Sequence, residues 1–552
     1  MFYPEIKASN TLQIEEGDDL IVALNDLKAG TVISEYGASV TLQEDIPAKH
    51  KFARREIVQG ERVSMYGLTV GEALVSIAAG QRISIQNLKH KAETASLPEE
   101  FSPVWNAPDV TKWENQTFMG YHRSDGKVGV ANYWLVIPLV FCENRNIEVI
   151  REALTERLGY SIKNRFSHSI DQWVKSYQSG EQPAPITEAP PTSAVEKPFP
   201  HVDGIRFLTH EGGCGGPRED ALMLAKLLAG YITHPNVAGA TVLSLGCQNL
   251  QISLLREQIE ARSDQFDKPL FILEQQQSRS ESAFLGTVIQ QTLEGLAVAN
   301  KNRRKPAPLS KLLVGLECGG SDGFSGISAN PVLGRVSDML AALGGGSILA
   351  EFPELSGVEQ NLLQRMPDCA TAEKFLQLMR DYEQAAKAVG SGFDANPSPG
   401  NIKDGLITDA MKSAGAAQKG GTSPVVDVLD YPELAQKSGL HLLCTPGNDV
   451  ESTTALAASG AQLILFTTGL GTPTGNPVAP VIKVSSNTSL ATRMADLIDF
   501  DAGTVIQGNE SLEAAADALF EQVVTTASGD YVPKAVRLEQ HDFIPWKRGV
   551  SL

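Results

Sequence analysis

Residues 317–331 read ECGGSDGFSGISANP and follow the apolar run 311–316. A thiol, a carboxylate, serine hydroxyls and glycines therefore stand where a buried strand opens into a loop, which is how α/β enzymes present polar groups to a small ligand. Four more glycine-rich polar segments accompany it: THEGGCGG at 209–216, NPSPGN at 396–401, KGGTSP at 419–424 and TTGLGTPTGNP at 467–477. Each offers backbone N–H groups unshielded by side chains, suited to carboxylate or hydroxyl oxygens. One such segment alone is ordinarily a turn. Together they favour an enzyme.

Several side chains near these segments have the right chemistry for proton transfer or ligation. His210 and Cys214 are four residues apart and could ligate a soft or borderline divalent metal, with Cys318, Cys247 or a carboxylate completing the set. The alternative is that His210 only hydrogen-bonds loop backbone. His50 lies among Lys49, Lys51, Arg54 and Arg55, either in a solvated basic turn or in a segment that closes over an acid. Asp322, Glu351, Glu354, Lys403, Lys419 and Lys483 supply further acids and bases. Glu351 and Glu354 would share a helix face, and two neighbouring carboxylates can split into an acid and a base, although surface carboxylates are the commoner outcome. No G-x-G-x-x-G, no phosphate-binding G-x-x-x-x-G-K-[ST] and no G-x-S-x-G elbow occurs, so neither a nucleotide cofactor nor Ser-His-Asp hydrolysis is expected.

The elements that must position these groups are legible as periodicity. Residues 1–95 alternate apolar and polar positions in short runs broken by Gly, Pro and Asp, which predicts a small β-rich domain, and 96–114 reads as a linker. Strand candidates at 134–142, 239–246 and 269–273, each followed by an amphipathic segment, predict a first α/β domain over 115–304. A proline-rich stretch at about 178–203 inside it cannot hold a regular element, because proline lacks the N–H donor and fixes φ. A second α/β domain over 305–552 carries candidates at 311–316, 346–350, 440–444, 461–467 and 480–485. The basic run KNRRK at 301–305 suits a solvated helix end. The fold class is thus α/β: a β-rich N-terminal domain before a two-part region of largely parallel sheets.

Composition bounds the partners. The 552 residues are 42% apolar and 20% charged, an ordinary globular balance. A net charge of -18 argues against nucleic acid or an anionic membrane, which demand a basic face, but not against a small anion held by local lysines. The sequence has neither an apolar run of about 20 residues nor a basic-then-apolar start, and a cytoplasmic location is expected. The six cysteines, at 142, 214, 247, 318, 369 and 444, form no C-x-x-C pair, which fits reduced thiols. Those at 142, 247, 318 and 444 end or follow apolar runs, so they should gather at the carboxyl ends of strands, where cysteine is equally at home as a small buried residue.

These motifs, taken in order, resemble the altronate/galactarate dehydratases, a family of sugar-acid hydro-lyases. The resemblance is carried by IPAKHKFA (46–53) and MYG (65–67) in a SAF-type β domain, by GYHRSDGKVGVANY (120–133), and by the HEGGCG and ECGGSDGFSGISANP loops. AEFPELSGVE (350–359), NPSPGN, KGGTSP and TTGLGTPTGNPVAPVIKVSSNT (467–488) complete it. The chain departs from the pattern at Ala131, where the family's motif has arginine, and at the proline-rich stretch. The resemblance implies loss of water from a hexonate or hexarate to a 2-keto-3-deoxy acid, with Fe²⁺ or Mn²⁺ stabilising the charge that builds on the carboxylate. It implies His210, Cys214 and Cys318 around the metal or substrate, Asp322 and Glu354 as ligands or proton carriers, His50 as a proton-transfer group from the SAF-type domain, and Lys419 with the backbone amides of Gly319 and Gly320 on the substrate carboxylate. Gly319, Gly320, Ser321, Asn330, Lys403 and Thr468 would then hold substrate. NLKH (87–90) and the motif wording favour altronate over galactarate. Sulfolactate sulfo-lyase and a non-catalytic sugar-acid-binding protein are the alternatives. A monomer and a symmetric homodimer are both compatible with this reading.

Overall fold

The computed structural model describes residues 9–37, 39–160, 166–188, 196–393 and 396–549. The chain divides into two compact units, one of residues 1–130 with 305–546, the other of 131–304 with 547–552.

Within the first unit, the N-terminal segment is β-rich as expected. Thr11–Leu12 pairs antiparallel with Leu20–Ala23, which pairs with Lys51–Ala53; Arg62–Met65, Leu68–Ala73 and Leu88–Lys89 form a second antiparallel sheet. Leu20, Val22, Val63, Val70 and Ile77 fill one core and Ile21, Ile46 and Phe52 another, so alternate residues of one strand face opposite ways. Residues 91–110 hold no helix or strand. Thr117–His122 then pairs antiparallel with Val128–Gly129 and Lys305–Pro308. That pairing draws 117–129 into this unit, whereas the sequence pattern grouped 115–130 with the residues that follow.

The unit of 131–304 is built on four parallel strands. β1 (Tyr133–Pro138) leads to α1 (Asn144–Thr155), β2 (Gly204–Phe207) to α2 (Arg218–Thr233), β3 (Val237–Ser244) to α3 (Ile252–Arg262) and β4 (Leu270–Glu274) to α4 (Glu281–Ala299). The sheet order is β2-β1-β3-β4, all neighbours parallel. Trp134, Val136, Leu243, Phe284, Val288 and Leu296 form its core. Residues 180–188 and 196–203 of the proline-rich stretch hold no helix or strand, and 189–195 lie outside the described residues. The helix Ser167–Ser179 runs into the start of that stretch.

The larger parallel sheet belongs to the first unit. Its strands and the helices used below are β5 (Leu313–Cys318), α5 (Ala329–Ala342), β6 (Gly346–Leu349), α6 (Asp409–Ala417), β7 (Val425–Leu429), β8 (Gly439–Leu443), α7 (Asp449–Ala458), β9 (Leu463–Thr468), β10 (Val481–Ser485) and β11 (Phe500–Asp501). The order is β7-β8-β6-β5-β9-β10-β11, every pair parallel. From β5 the chain steps to β6, crosses to the sheet edge at β7, comes back between them at β8, and then passes to the other side of β5 at β9. This reversal opens a crevice outside the carboxyl ends of β5 and β9, the place where open α/β sheets bind ligands. Among the described residues, no helix is long and apolar enough to cross a membrane.

Candidate active site

A cluster of buried titratable groups stands at the carboxyl end of the first unit's parallel sheet. β5 delivers Glu317 and Cys318, the segment after β6 delivers Glu351 and Glu354, and α7 begins with Asp449. Glu351 takes a left-handed backbone, φ 69°, and is fixed by its N–H donating to Thr445 Oγ1 at 2.8 Å. Instead of two exposed acids on one helix face, Glu351 caps a short 3-10 turn that contains Glu354, and both are buried.

Lys419 is aimed by the glycines of KGGTSP. A Cβ on Gly421 would lie 2.4 Å from Gly334 O, and one on Gly334 of α5 would lie 2.1 Å from Gln418 O. Only glycine lets this turn press against α5. Asp338 of α5 then accepts the N–H groups of Thr422 at 2.9 Å and Ser423 at 2.8 Å, closing the turn. The Lys419 ammonium donates to Glu351 Oε2 at 2.7 Å and to Cys318 Sγ at 2.9 Å, while the Cys318 thiol donates to Glu354 Oε2 at 3.0 Å. Lys412 bonds the other Glu354 oxygen at 2.6 Å.

Burial sets the electrostatics. It opposes the charge of Glu354, but Lys412 and Lys419 outweigh it and hold that carboxyl at about 2. It also opposes the charge of Lys419, yet the Cys318 sulfur and the Glu351 and Glu354 carboxylates keep the ammonium well above its usual range. Burial, then the Glu351 and Glu354 charges, push the Cys318 thiol up. Glu317 rises through burial and the charge of Glu351, and Asp449 is pushed to about 7 by burial, Glu351 and Glu354. Lys483, on β10, is lowered to about 7 by burial, and its Nζ lies 3.5 Å from the Phe466 ring centroid with no hydrogen-bond acceptor.

Glu317, Glu351 and Asp449 bring carboxylate oxygens within 4.8 Å of one another, as do the donor atoms of Cys318, Glu351 and Glu354. Glu317 Oε1 and Glu351 Oε1 are buried without a hydrogen-bond partner. A buried carboxylate oxygen with no partner is costly, and a divalent cation would satisfy both while relieving the repulsion that raises Glu317 and Asp449. The three carboxylates form an oxygen-rich set suited to Mg²⁺, Mn²⁺ or Fe²⁺. Gly319 makes room for it: a Cβ there would lie 2.0 Å from Asp449 Oδ2.

The loop after β5 has a second anchor. Asp322 Oδ1 accepts from Ser325 N at 3.0 Å, Ser325 Oγ at 2.9 Å and Ser486 Oγ at 2.7 Å; Oδ2 meets Lys49 Nζ at 3.0 Å and Asn487 Nδ2 at 3.1 Å. A Cβ on Gly323 or Gly405 would lie 2.4 Å from Lys49 O, so both glycines admit the basic turn of the N-terminal domain. His50 in that turn hydrogen-bonds Lys403 O through Nε2 at 3.1 Å, leaving a buried, unpartnered Nδ1; its pKa is lowered, first by burial. Lys51 donates to Gly405 O at 2.8 Å and is lowered by burial to about 7. The turn docks on the loop rather than standing in solvent.

Other residues singled out by sequence are occupied within the fold. Asn330 donates to Gly415 O at 2.9 Å and accepts from Thr467 Oγ1 at 2.7 Å. Thr468 Oγ1 accepts from Gly471 N at 2.9 Å, and Ser321 O from Asn401 Nδ2 at 2.7 Å. Gly319 N–H is committed to Thr467 O at 3.0 Å, so it is not free for a substrate carboxylate; Gly320 takes φ +60°, and the Lys403 side chain is exposed. His210 and Cys214 lie in the other unit. There His210 Nε2 pairs with Pro138 O at 2.8 Å and Nδ1 accepts Gly212 N–H at 3.1 Å, while burial lowers the ring to about 4. The neutral ring braces the loop and has no lone pair to spare for a metal. Sequence reasoning passed over Glu317, Lys412 and Asp449. The signal for Asp449 was present in TPGND, a turn and helix cap directly after the apolar strand LHLLC.

Comparison with known proteins places this architecture. The family model "Altronate/galactarate dehydratase SAF domain" matches residues 9–91, "D-galactarate dehydratase/Altronate hydrolase, second domain" matches 120–300, and "D-galactarate/Altronate dehydratase, C-terminal" matches 309–551. Altronate dehydratase of Bacillus subtilis (strain 168) is 34% identical over 544 residues, 98% of this chain and 99% of that protein. Altronate dehydratase of Escherichia coli (strain K12) is 34% identical over 545 residues, with the same coverage of 98% and 99%. Galactarate dehydratase (L-threo-forming) of the same bacterium is 30% identical over 531 residues, 94% of this chain and 92% of that one. With every segment matched in order, the chain belongs to the altronate/galactarate dehydratase family and is a sugar-acid hydro-lyase.

Proposed function

We propose that the protein removes water from D-altronate to give 2-keto-3-deoxy-D-gluconate. The observation that carries the substrate choice is the 34% identity to two altronate dehydratases against 30% to the galactarate enzyme. The reaction needs a base for the C2 proton, stabilisation of the charge that builds on the C1 carboxylate, and an acid for the departing C3 hydroxyl. Glu317, Glu351 and Asp449 are the residues that would hold a divalent cation, and Fe²⁺ or Mn²⁺ bound there would act as a Lewis acid on substrate oxygens.

The remaining steps fall to the surrounding side chains. Lys483, whose buried amine is uncharged above about pH 7, is the candidate acceptor of the C2 proton. Lys419 keeps its charge through burial and supplies the positive field that favours an enediolate. Return of a proton to the C3 hydroxyl releases water, and the resulting enol becomes the 2-keto acid. His50, with its unpartnered Nδ1 on the N-terminal turn, is a second proton-transfer candidate. Asp322 is assigned to positioning, since its oxygens are filled by serine, asparagine and lysine.

The test is an anaerobic assay offering D-altronate, galactarate, glucarate and sulfolactate to EDTA-treated protein with and without Fe²⁺, Mn²⁺ or Mg²⁺. Metal-restored turnover of D-altronate at the highest kcat/KM supports the reading. A higher kcat/KM on galactarate moves the substrate to the hexarates, and full turnover in EDTA removes the metal from the account.

A further inference from the structure

Three cysteines of the 131–304 unit take no part in the chemistry above. Cys142 follows β1, Cys214 lies in the loop after β2 and Cys247 in the loop after β3. Those strands are neighbours in the order β2-β1-β3, so the three thiols stand at the carboxyl ends of adjacent strands, and all three are exposed. The loops are tied together. Phe141 N–H donates to Gly212 O and Leu250 N–H to Gly213 O, both at 3.1 Å, and Asn144 Nδ2 donates to His210 O at 2.9 Å. Gly213, at φ +94°, lets the second loop lie on the first, because a Cβ there would be 2.0 Å from Leu139 O.

We propose that Cys142, Cys214 and Cys247 bind a [4Fe–4S] cluster, each thiolate on a different iron. The ligand class follows from the donors: His210 has spent both ring nitrogens, leaving a set of thiols, which select soft metals and iron–sulfur clusters. Spacing separates a cluster from a single ion. Tetrahedral coordination with bonds of about 2.3 Å holds ligand sulfurs only about 3.8 Å apart. Among the described residues these three thiols do not form a group with all donor atoms within 4.8 Å, a closeness that a cluster with each thiolate on its own iron does not require. Two more features suit the site. Gln276 Nε2 donates to Cys247 Sγ at 3.4 Å, the kind of bond that tunes cluster sulfurs, and Glu143, next to Cys142, is fully buried with Oε1 unpartnered. Three thiolates leave the fourth iron without a cysteine, open to an oxygen ligand.

Loading is a ligand exchange. A preformed [4Fe–4S] cluster gives up three carrier thiolates; each cysteine passes its proton to a departing carrier thiolate as its sulfur bonds iron, and no electron is transferred. The test is anaerobic incubation of the full chain with a synthetic [4Fe–4S] cluster capped by 2-mercaptoethanol, followed by desalting and assay of iron, acid-labile sulfide and visible thiolate-to-iron absorption. About four irons and four sulfides per chain are expected. Cys142→Ser, Cys214→Ser and Cys247→Ser should each lower both at least several-fold, and Cys369→Ser, an exposed thiol of the other unit, should not. Because the three thiols are exposed, the unloaded variants should melt with the unloaded parent. Absence of labile sulfide from the parent, or its full retention in the three variants, would overturn the proposal.

Discussion

At the level of single residues, the site is governed by how burial is compensated. Asp322 and Lys483 are the two extremes. Asp322 is buried but every lone-pair direction meets a donor, so Asp322→Asn should destabilise the chain by about 1–3 kcal/mol in urea unfolding, with the largest share from the lost Lys49 pairing. Lys483 has burial without an acceptor. Its folded pKa is depressed from the ordinary lysine value of 10.5 to about 7, so between those values the unfolded state binds more protons and stability rises with pH. Lys483→Met should therefore raise the melting temperature most at or below pH 7, and the gain should vanish as pH approaches 10.5. A gain independent of pH would contradict this assignment. The individual groups were partly legible: Cys318, Asp322, Glu354 and Lys419 stood out by their glycine-rich surroundings. The gathering of Glu317, Glu351 and Asp449 was not, because residues from three separate strand ends meet only through the sheet order.

At the level of elements, glycines and sheet edges explain what periodicity missed. The central strands β1, β3, β5, β6, β8, β9 and β10 read as apolar runs because both faces are covered. β2 and β7 escaped notice because each is a short sheet edge, GIRF and VVDVL, whose polar residues break the run. The close approach of α5 to the turn carrying Lys419 is equally invisible in composition, though KGGTSP marks it. Gly334→Ala places a methyl 2.1 Å from Gln418 O, which forces the turn off α5. The expected outcome is a loss of about 1–3 kcal/mol in thermal unfolding together with reduced turnover, since Lys419 moves with the turn. Unchanged kinetics with unchanged stability would mean that the contact is slack.

At the level of the whole molecule, one chain combines a β-rich N-terminal domain with parallel sheets that present polar loops at their carboxyl ends. The N-terminal turn contributes Lys49 to Asp322 in the loop after β5 and Lys51 to Gly405 O before α6, which explains why a basic turn at residues 49–55 accompanies a catalytic region with an excess of acid. The most direct measurement is product identification by NMR after anaerobic incubation of D-altronate with metal-loaded enzyme and with its Glu351→Gln variant. The account predicts 2-keto-3-deoxy-D-gluconate as the product and a fall in kcat/KM of roughly 10²–10³ in the variant, in line with loss of one group that stabilises developing charge. Recovery of D-altronate unchanged by the parent enzyme, or equal product from the variant, would contradict it.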